Sequence, residues 1–258
     1  MNRVNKNTVI RKRRGNSRYV MLFIFLGVLL IALALTSYSF AKKMDFFNIT
    51  KIEVVGNKNL DTEFLREIAK EYVGVNLFTL PEQHIKYKYS KIVRIKKIKL
   101  RRIIPKKLKL IFEERVGYLY LKTVEGQIIP IDKECVVLDY GNFLQQEDLP
   151  VVDTKLSVTN LTTGEVVADE SVRKIMEVHK LVTASKLNEK LFSEYFIKNK
   201  DVYFVESKTG SIVCLGKKDF PAAIQKLEFY WDNLGILQYT EVDLKYTDRI
   251  IIKNKEEK

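Results

Sequence analysis

The sequence predicts an α+β protein attached to a single N-terminal transmembrane helix, and three observations carry that prediction. Tyr19 to Ala41 is one apolar run without a charged residue. Residues 46–115 read as strand, helix, helix, strand, strand, the order of a small sheet with helices covering one face. From residue 116 to 253 short strands predominate, interrupted by two amphipathic stretches, which predicts a mostly antiparallel β domain with two or more helices.

Composition and charge fix the class first. With 46% hydrophobic and 11% aromatic residues in 258, the chain can build packed cores and is not a disordered polymer. Its net charge of +13 invites a nucleic-acid reading. Nine of those positive charges, however, are Arg3, Lys6, Arg11, Lys12, Arg13, Arg14, Arg18, Lys42 and Lys43, in a stretch without Asp or Glu, and only four net charges remain for the rest. The stretch from Tyr19 to Ala41 exceeds the roughly 20 apolar residues that a helix needs to cross a bilayer. Seven basic residues precede it and two follow, so the positive-inside bias keeps the basic tail, residues 1–18, in the cytoplasm and exports everything after Lys43. A cleaved signal peptide is the competing reading. The run is longer than the ~7 to 15 residues of an ordinary signal core, and no A-x-A site follows it. Both readings export the chain, which removes genomic DNA and RNA as partners.

The first exported domain, residues 46–115, begins with "FFNITKIEVVGNKNL", where Ile49, Ile52 and Val54 alternate into a strand that stops at Gly56-Asn57. "DTEFLREIAKEYVG" then spaces Leu65, Ile68, Ala69 and Tyr72 as a helix, with Asp61 or Thr62 as its cap and Gly74 as its stop. A second helix is expected at "TLPEQHIKYKY", where Thr79 and Glu82 have capping-box spacing and Pro81 falls in the first turn. Next comes "RIKKIKLRRIIPKKLKLIFEE", with nine lysines and arginines before its closing glutamates. Its period is two. Ile98 and Leu100, then Leu108, Leu110 and Phe112, point inward between charged neighbours, which predicts two strands joined by a loop from Arg102 to Lys106. Like charges should then face one another across the hairpin at a small cost. Lys97, Lys99, Arg101, Lys107 and Lys109 form an outward basic face, either a solubilising surface or a contact for anionic lipid or cell-wall polymer.

In the second exported domain, residues 116–253, strands are expected at "YLYLKT", "GQIIPID" and "CVVLD", followed by the polar loop "YGNFLQQEDLP". "DESVRKIMEVHKLVTAS" places Val172, Ile175, Met176, His179 and Val182 on one helical stripe. Strands return at "DVYFVES" and "SIVCLG" around a turn at Lys208 to Gly210. Asp219 is placed to cap "FPAAIQKLEFYWDNL", with Ile224, Leu227, Trp231 and Leu234 inward and Gly235 as the stop. The last element is "EVDLKYTDRIIIKN", and residues 254–258 have the composition of a disordered tail.

Three motifs carry a resemblance. The I-x-V-x-G-N strand, the "GVNLF" segment and the R-x-x-P-x-x-L-x-x-x-x-x-E-R hairpin resemble the POTRA module. The departure is "SKIVRI", without the proline that many members place ahead of the middle strand. Together with the tail, the span, "IPID", "VVLD", Leu149-Pro150, "LGKKDFPAAIQKLEFY" and "VDLKYTDRIIIK", nearly the whole chain resembles the FtsQ/DivIB family of bacterial cell-division proteins. Lys245 stands where the family's ending usually has Arg, and Cys135 falls near a position often held by Gly.

Chemistry is sparse. Cys135 and Cys214 form no CxxC or Cys/His cluster and read as buried small hydrophobes. His84 and His179 lie in no ligand spacing and read as structural. "DKE" at 132–134 and "EVD" at 241–243 read as a turn and a strand, and no G-x-S-x-G, S-x-x-K or phosphate loop is present. No catalytic residue, metal or cofactor is expected. The expected carrier of function is the terminal strand "RIIIKN", either an unpaired edge or an inner strand covered by the preceding helix. The resemblance implies the edge. It implies that the strand recruits FtsB/DivIC-like and FtsL-like coiled-coil membrane proteins by strand addition, and so acts indirectly on septal peptidoglycan synthases. Tyr246 matches the Tyr of the family's D-L-R-Y ending; Arg249, Ile250, Ile251, Ile252 and Lys253 would form the docking edge. Phe229 would line that surface, whereas Trp231 reads as core. An exported POTRA-type chaperone or translocation subunit for client polypeptides is the alternative; such proteins usually repeat the module, and this chain shows no such repeat.

Overall fold

A computed structural model describes residues 17–139, 148–187, 192–235 and 238–254. Most of the expected cytoplasmic tail, most of the loop "YGNFLQQEDLP" and the expected disordered end from 255 onward lie outside the described residues. α1 (Ser17–Ala41) is a continuous helix whose apolar side chains are exposed all round, the condition of a helix that expects lipid rather than protein about it. It does not end free. Asn76 donates from its side-chain amide to the carbonyls of Ala41 (3.0 Å) and Met44 (2.9 Å), filling acceptors that a helix C-terminus leaves open.

The first sheet follows the expected order. β1 (Lys51–Val55), α2 (Thr62–Ala69), a 3-10 turn at Lys70–Tyr72, α3 (Glu82–Ser90), β2 (Ile95–Ile103) and β3 (Lys107–Glu114) build a sheet ordered β1-β3-β2. β3 runs parallel to β1 and antiparallel to β2. Asp61 caps α2, its carboxylate accepting from the amides of Glu63 (3.2 Å) and Phe64 (3.1 Å). The Thr79–Glu82 capping box does not form: Pro81 takes the N-cap position without a side-chain bond. The Thr79 hydroxyl instead donates to the Asn76 carbonyl at 3.2 Å, because that chain is turning around Asn76 rather than entering the helix. Leu108, Leu110 and Phe112 join Ile52, Leu65, Ile85 and Tyr89 in one core. Gly56, at φ +86°, is required by close approach: a Cβ there would sit 2.3 Å from the Phe112 carbonyl oxygen.

Among the described residues the second sheet has eight strands. β4 (Leu119–Lys122), β5 (Ile128–Ile131), β6 (Val151–Asp153), α4 (Glu170–Ala184), β7 (Phe192–Lys198), β8 (Asp201–Glu206), β9 (Ile212–Gly216), α5 (Phe220–Leu234), β10 (Tyr239–Asp243) and β11 (Ile251–Asn254) assemble in the order β11-β10-β9-β8-β7-β6-β4-β5. The sheet is mixed: β4 with β6, β6 with β7 and β9 with β10 are parallel, the other junctions antiparallel. α4 and α5 pack on it and on each other. The expected strand at "CVVLD" is reduced to isolated bridges, Ile131 to Val137 and Val136 to Val166. Its first residue, Cys135, has φ +61°, a left-handed bend that breaks extension and favours glycine. β6 and β7 were not anticipated, and the terminal element divides into β10 and β11. Asp219 holds the N-cap position of α5, but at φ +56° its side chain makes no capping bond.

Between the two sheets the chain is bolted by charge. Arg94, 1% exposed, donates from Nε and Nη2 to the Asp139 carbonyl at 2.8 and 2.6 Å. Arg115 bonds Asp132 and, at 2.8 Å, Glu134. Lys96 reaches the same Glu134 at 2.5 Å. Asp132 in turn accepts from the amides of Glu134 (2.8 Å) and Val136 (3.0 Å), so the turn that presents the carboxylates is itself held.

Candidate functional site

The terminal strand is an edge. β11 pairs with β10 alone, Val242 opposite Ile252 and Asp243 opposite Ile251, and no strand among the described residues covers its other side. An edge strand keeps a row of unpaired N–H and C=O groups available to another chain. All of Ile251–Asn254 is exposed, Ile251 by 49% and Ile252 by 41%. Successive residues of a strand point to opposite faces, so apolar groups stand bare on both sides of this edge. Ile250 does not share that exposure; it packs on the core.

The approach to the edge is built around Tyr246. Lys226 of α5 donates to the carbonyls of Tyr246 and, at 3.3 Å, Thr247. The Tyr246 ring carries two cations, Arg249 and Lys245, each 5.1 Å from its centroid. Lys245 also pairs with Asp243 at 2.8 Å, and that carboxylate holds its ammonium above the ordinary lysine range. Gly216, φ +86°, ends β9 where a Cβ would come 3.0 Å from the Lys245 Cβ. Phe229, 61% exposed, lies one turn along α5 from Lys226. The structure thus brings Tyr246, Arg249 and the strand into one region with Phe229 on the adjoining helix. Trp231 is partly buried, its ring 6.2 Å from Phe192, and belongs to the core.

The basic face of the first sheet is less bare than its sequence suggests. Lys107 and Lys109 bind Glu53 at 3.0 and 2.8 Å. Those two bonds, Lys109's first, hold the Glu53 carboxyl down at about 2. Lys97 stands opposite Glu113 and 3.7 Å from it, and Arg102 reaches Glu82 at 2.7 Å. Across the hairpin the expected facing of like charges is confined to Arg101 opposite Lys109, because the register sets Lys97 against Glu113 and Lys99, Arg102 and Lys107 against apolar residues. Lys99 and Arg101 remain exposed on the outer strand.

Two groups of residues escaped sequence reasoning. One is the junction set Arg94, Lys96, Arg115, Asp132, Glu134 and Asp139, of which Lys96, Arg115, Asp132 and Glu134 border a cleft of about 650 Å³ whose lining also includes Tyr118, Lys133 and His179. The E-R end of the hairpin motif and "DKE" were its only traces. Asn76, inside "GVNLF", is the other. His179 is buried, its Nδ1 3.0 Å from the Tyr195 hydroxyl, and burial, with Lys133 nearby, pulls its pKa down to about 4. His84 lies far along the chain, against Tyr72. Both cysteines are unpaired and buried, and burial pushes both thiols up. Among the described residues no three His, Cys, Asp or Glu side chains cluster as a metal site.

Comparison with known proteins agrees with this architecture. Residues 47–115 match the model of the POTRA domain, FtsQ-type. The chain is 23% identical over 189 residues to a cell division protein DivIB of Clostridium botulinum strain Hall, a match covering 73% of this chain and 71% of that protein. It is 27% identical over 146 residues to DivIB of the Loch Maree strain, covering 57% and 51%, and 29% identical over 124 residues to DivIB of Clostridium acetobutylicum, covering 48% of each. The chain therefore spans about half the length of the last two relatives. The chain thus carries an FtsQ-type POTRA domain behind an apolar N-terminal helix and ahead of a mixed-sheet domain, and is similar to DivIB cell-division proteins of the FtsQ/DivIB family.

Proposed function

We propose that this chain is a non-enzymatic scaffold of the bacterial division complex that recruits FtsB/DivIC-like and FtsL-like coiled-coil membrane proteins through β11. The observation that carries the reading is the edge itself: a terminal strand with one neighbour and bare isoleucines on both faces. A partner segment laid along β11 would complete the backbone ladder and cover Ile251 and Ile252. Arg249 and Lys253 flank those isoleucines and suit a partner with acidic positions. Tyr246, bonded at its carbonyl by Lys226 and covered at its ring by Arg249, lies in the segment that leads into β11. α1 would place the protein in the cell membrane as a type II anchor with its N-terminus in the cytoplasm, concentrated at the septum. Its influence on the septal peptidoglycan synthases would then run through the recruited proteins.

Proline substitution along the edge tests this in the full chain. Alternate residues of β11 turn their N–H outward or toward β10, and proline removes that donor. Ile251→Pro and Ile252→Pro should therefore differ: the one whose N–H faces outward should abolish co-purification with the coiled-coil partners while leaving the urea midpoint nearly unchanged. Retention of the partners by both variants, each shown folded, rejects the edge as the docking site.

A further inference from the structure

The tip of the basic hairpin lies at the foot of the membrane helix. α1 has a charge-free span of 23 residues, about 34 Å of helix against a hydrocarbon core of roughly 30 Å, so its last turn stands at the bilayer surface. From there a short path fixes the first sheet in height. Asn76 bonds the carbonyls of Ala41 and Met44. Tyr38 of α1 meets Phe78 edge-on at 5.8 Å, and Phe78 meets Phe47 at 5.1 Å. Thr50 then donates to the Lys106 carbonyl at 2.9 Å, and the Lys106 ammonium sits 5.8 Å from the centre of the Phe46 ring. The β2–β3 turn is thereby tied to the helix end, although more than 60 residues separate them in sequence.

What that turn exposes is apolar. Ile104 is 62% exposed, its neighbour Ile103 is exposed, and so are Met44 and Phe46 on the segment that leaves α1, the latter linked to the turn through Lys106. Lys42, Lys43 and Lys106 rim them, all exposed. Bare aliphatic and aromatic side chains ringed by lysines, held at the level where a spanning helix leaves the bilayer, match the chemistry of the headgroup layer: apolar groups enter the acyl boundary while ammonium groups meet phosphate. We propose that Ile103, Ile104, Met44 and Phe46, with Lys42, Lys43 and Lys106, form a second membrane contact that seats the first domain on the leaflet at the C-terminal end of α1, with a preference for anionic lipid. The occupant is the bilayer because the surface continues the surface of α1. The contact is made by the hairpin's tip, not by the outward basic face of Lys97, Lys99 and Arg101.

Depth-dependent quenching in the full chain tests the proposal. Ile104→Cys and Val124→Cys carry the same environment-sensitive fluorophore; Val124 is a reference of equal exposure, 62%, in the second domain. The native thiols are buried, and the unsubstituted chain serves as the labelling blank. In vesicles of phosphatidylcholine with phosphatidylglycerol, lipids brominated near the headgroup should quench the probe at 104 several-fold more than the probe at 124. The difference should shrink in phosphatidylcholine alone, whose zwitterionic headgroups give the surface no net negative charge to attract the lysines. Equal quenching at the two positions in both vesicles overturns the proposal. So does a larger signal at 104 that is insensitive to lipid charge and disappears with Ile103→Ser, which would mark the tip as a hydrophobic contact without the lysine component.

Discussion

Arg115 closes the POTRA hairpin and lies 2.8 Å from Glu134 of the second domain, while Lys96 holds the same carboxylate from the other side at 2.5 Å. The two cations, Lys96 before Arg115, hold the Glu134 carboxyl down at about 2 from an ordinary 4.5. The sign of the consequence follows from proton uptake. Between those values the unfolded chain binds a proton that the folded chain does not, so the contribution to stability is complete above about pH 5 and is lost as pH falls toward 2. Because the carboxylate is exposed, the effect is small. Glu134→Gln should lower the urea midpoint slightly at pH 7 and flatten its fall between pH 4.5 and 2.5 by the same small amount, the two proteins converging as pH nears 2. A parallel fall in both proteins would show that the junction adds nothing to acid sensitivity.

Arg94 occupies the same junction from inside. Its fork bonds a backbone carbonyl, Asp139, rather than depending on a carboxylate alone, and its stem fills space that no water reaches. Arg94→Ala loses two charge-assisted bonds and the packing, a cost of about 2–4 kcal/mol. Arg94→Lys keeps the charge but cannot donate in a fork, so it should recover only part. Equilibrium urea unfolding measures both, and a lysine variant as stable as the parent would show that the fork geometry is dispensable.

The path into the edge strand depends on a glycine. Gly216→Ala places a Cβ 3.0 Å from the Lys245 Cβ at a left-handed φ of +86°. The expected cost is about 1–3 kcal/mol, with Tyr246 and β11 displaced downstream. Gly235 ends α5 at φ +53° with open space around it, so Gly235→Ala should cost only the backbone term, about 1 kcal/mol. Thermal unfolding ranks the pair. If the proposed docking is correct, only Gly216→Ala should also weaken capture of the coiled-coil partners.

Much of this fold is legible because it is periodic. The alternation of Ile98, Leu100, Leu108, Leu110 and Phe112 marks β2 and β3 despite the charge between them, and Asp61 announces α2 because a cap acts on its neighbours. β6 is only three residues, Val151–Asp153, too short to show a period. β7, "FSEYFIK", mixes exposed and buried residues irregularly, and its pairing with β8 carries a register shift between Phe192 and Glu194. Cys135 looks like strand and bends left-handed. The edge status of β11 was readable only as one of two alternatives, because periodicity reports burial and not which strand stands beside which. Glu114 shows the same limit: it accepts from the amides of Lys58, Asn59 and Leu60, a loop closure made across more than 50 residues that no local pattern encodes. Asn76 is a further case, its helix-capping role visible only once α1 and the first sheet are in contact.

His179 supplies the second acid-sensitive group and acts in a different range. Its ring is buried between Tyr118, 4.5 Å away centre to centre, and Tyr195, whose hydroxyl lies 3.0 Å from Nδ1. Burial, and secondarily Lys133, lowers its pKa from 6.5 to about 4. A histidine depressed on folding favours the native state when neutral: its contribution is complete above about pH 6.5 and declines as pH falls toward 4, because only the unfolded chain takes up the proton. The gap corresponds to on the order of 3 kcal/mol. His179→Phe removes the titration and the bond to the Tyr195 hydroxyl, so it should lower stability at pH 7 by about 1–3 kcal/mol. It should also erase most of the decline between pH 6.5 and 4, a range in which Glu134 is silent above about pH 5. Urea midpoints at half-unit steps of pH separate the two effects: a uniform downward shift with the parent's slope retained would assign that slope to a group other than His179.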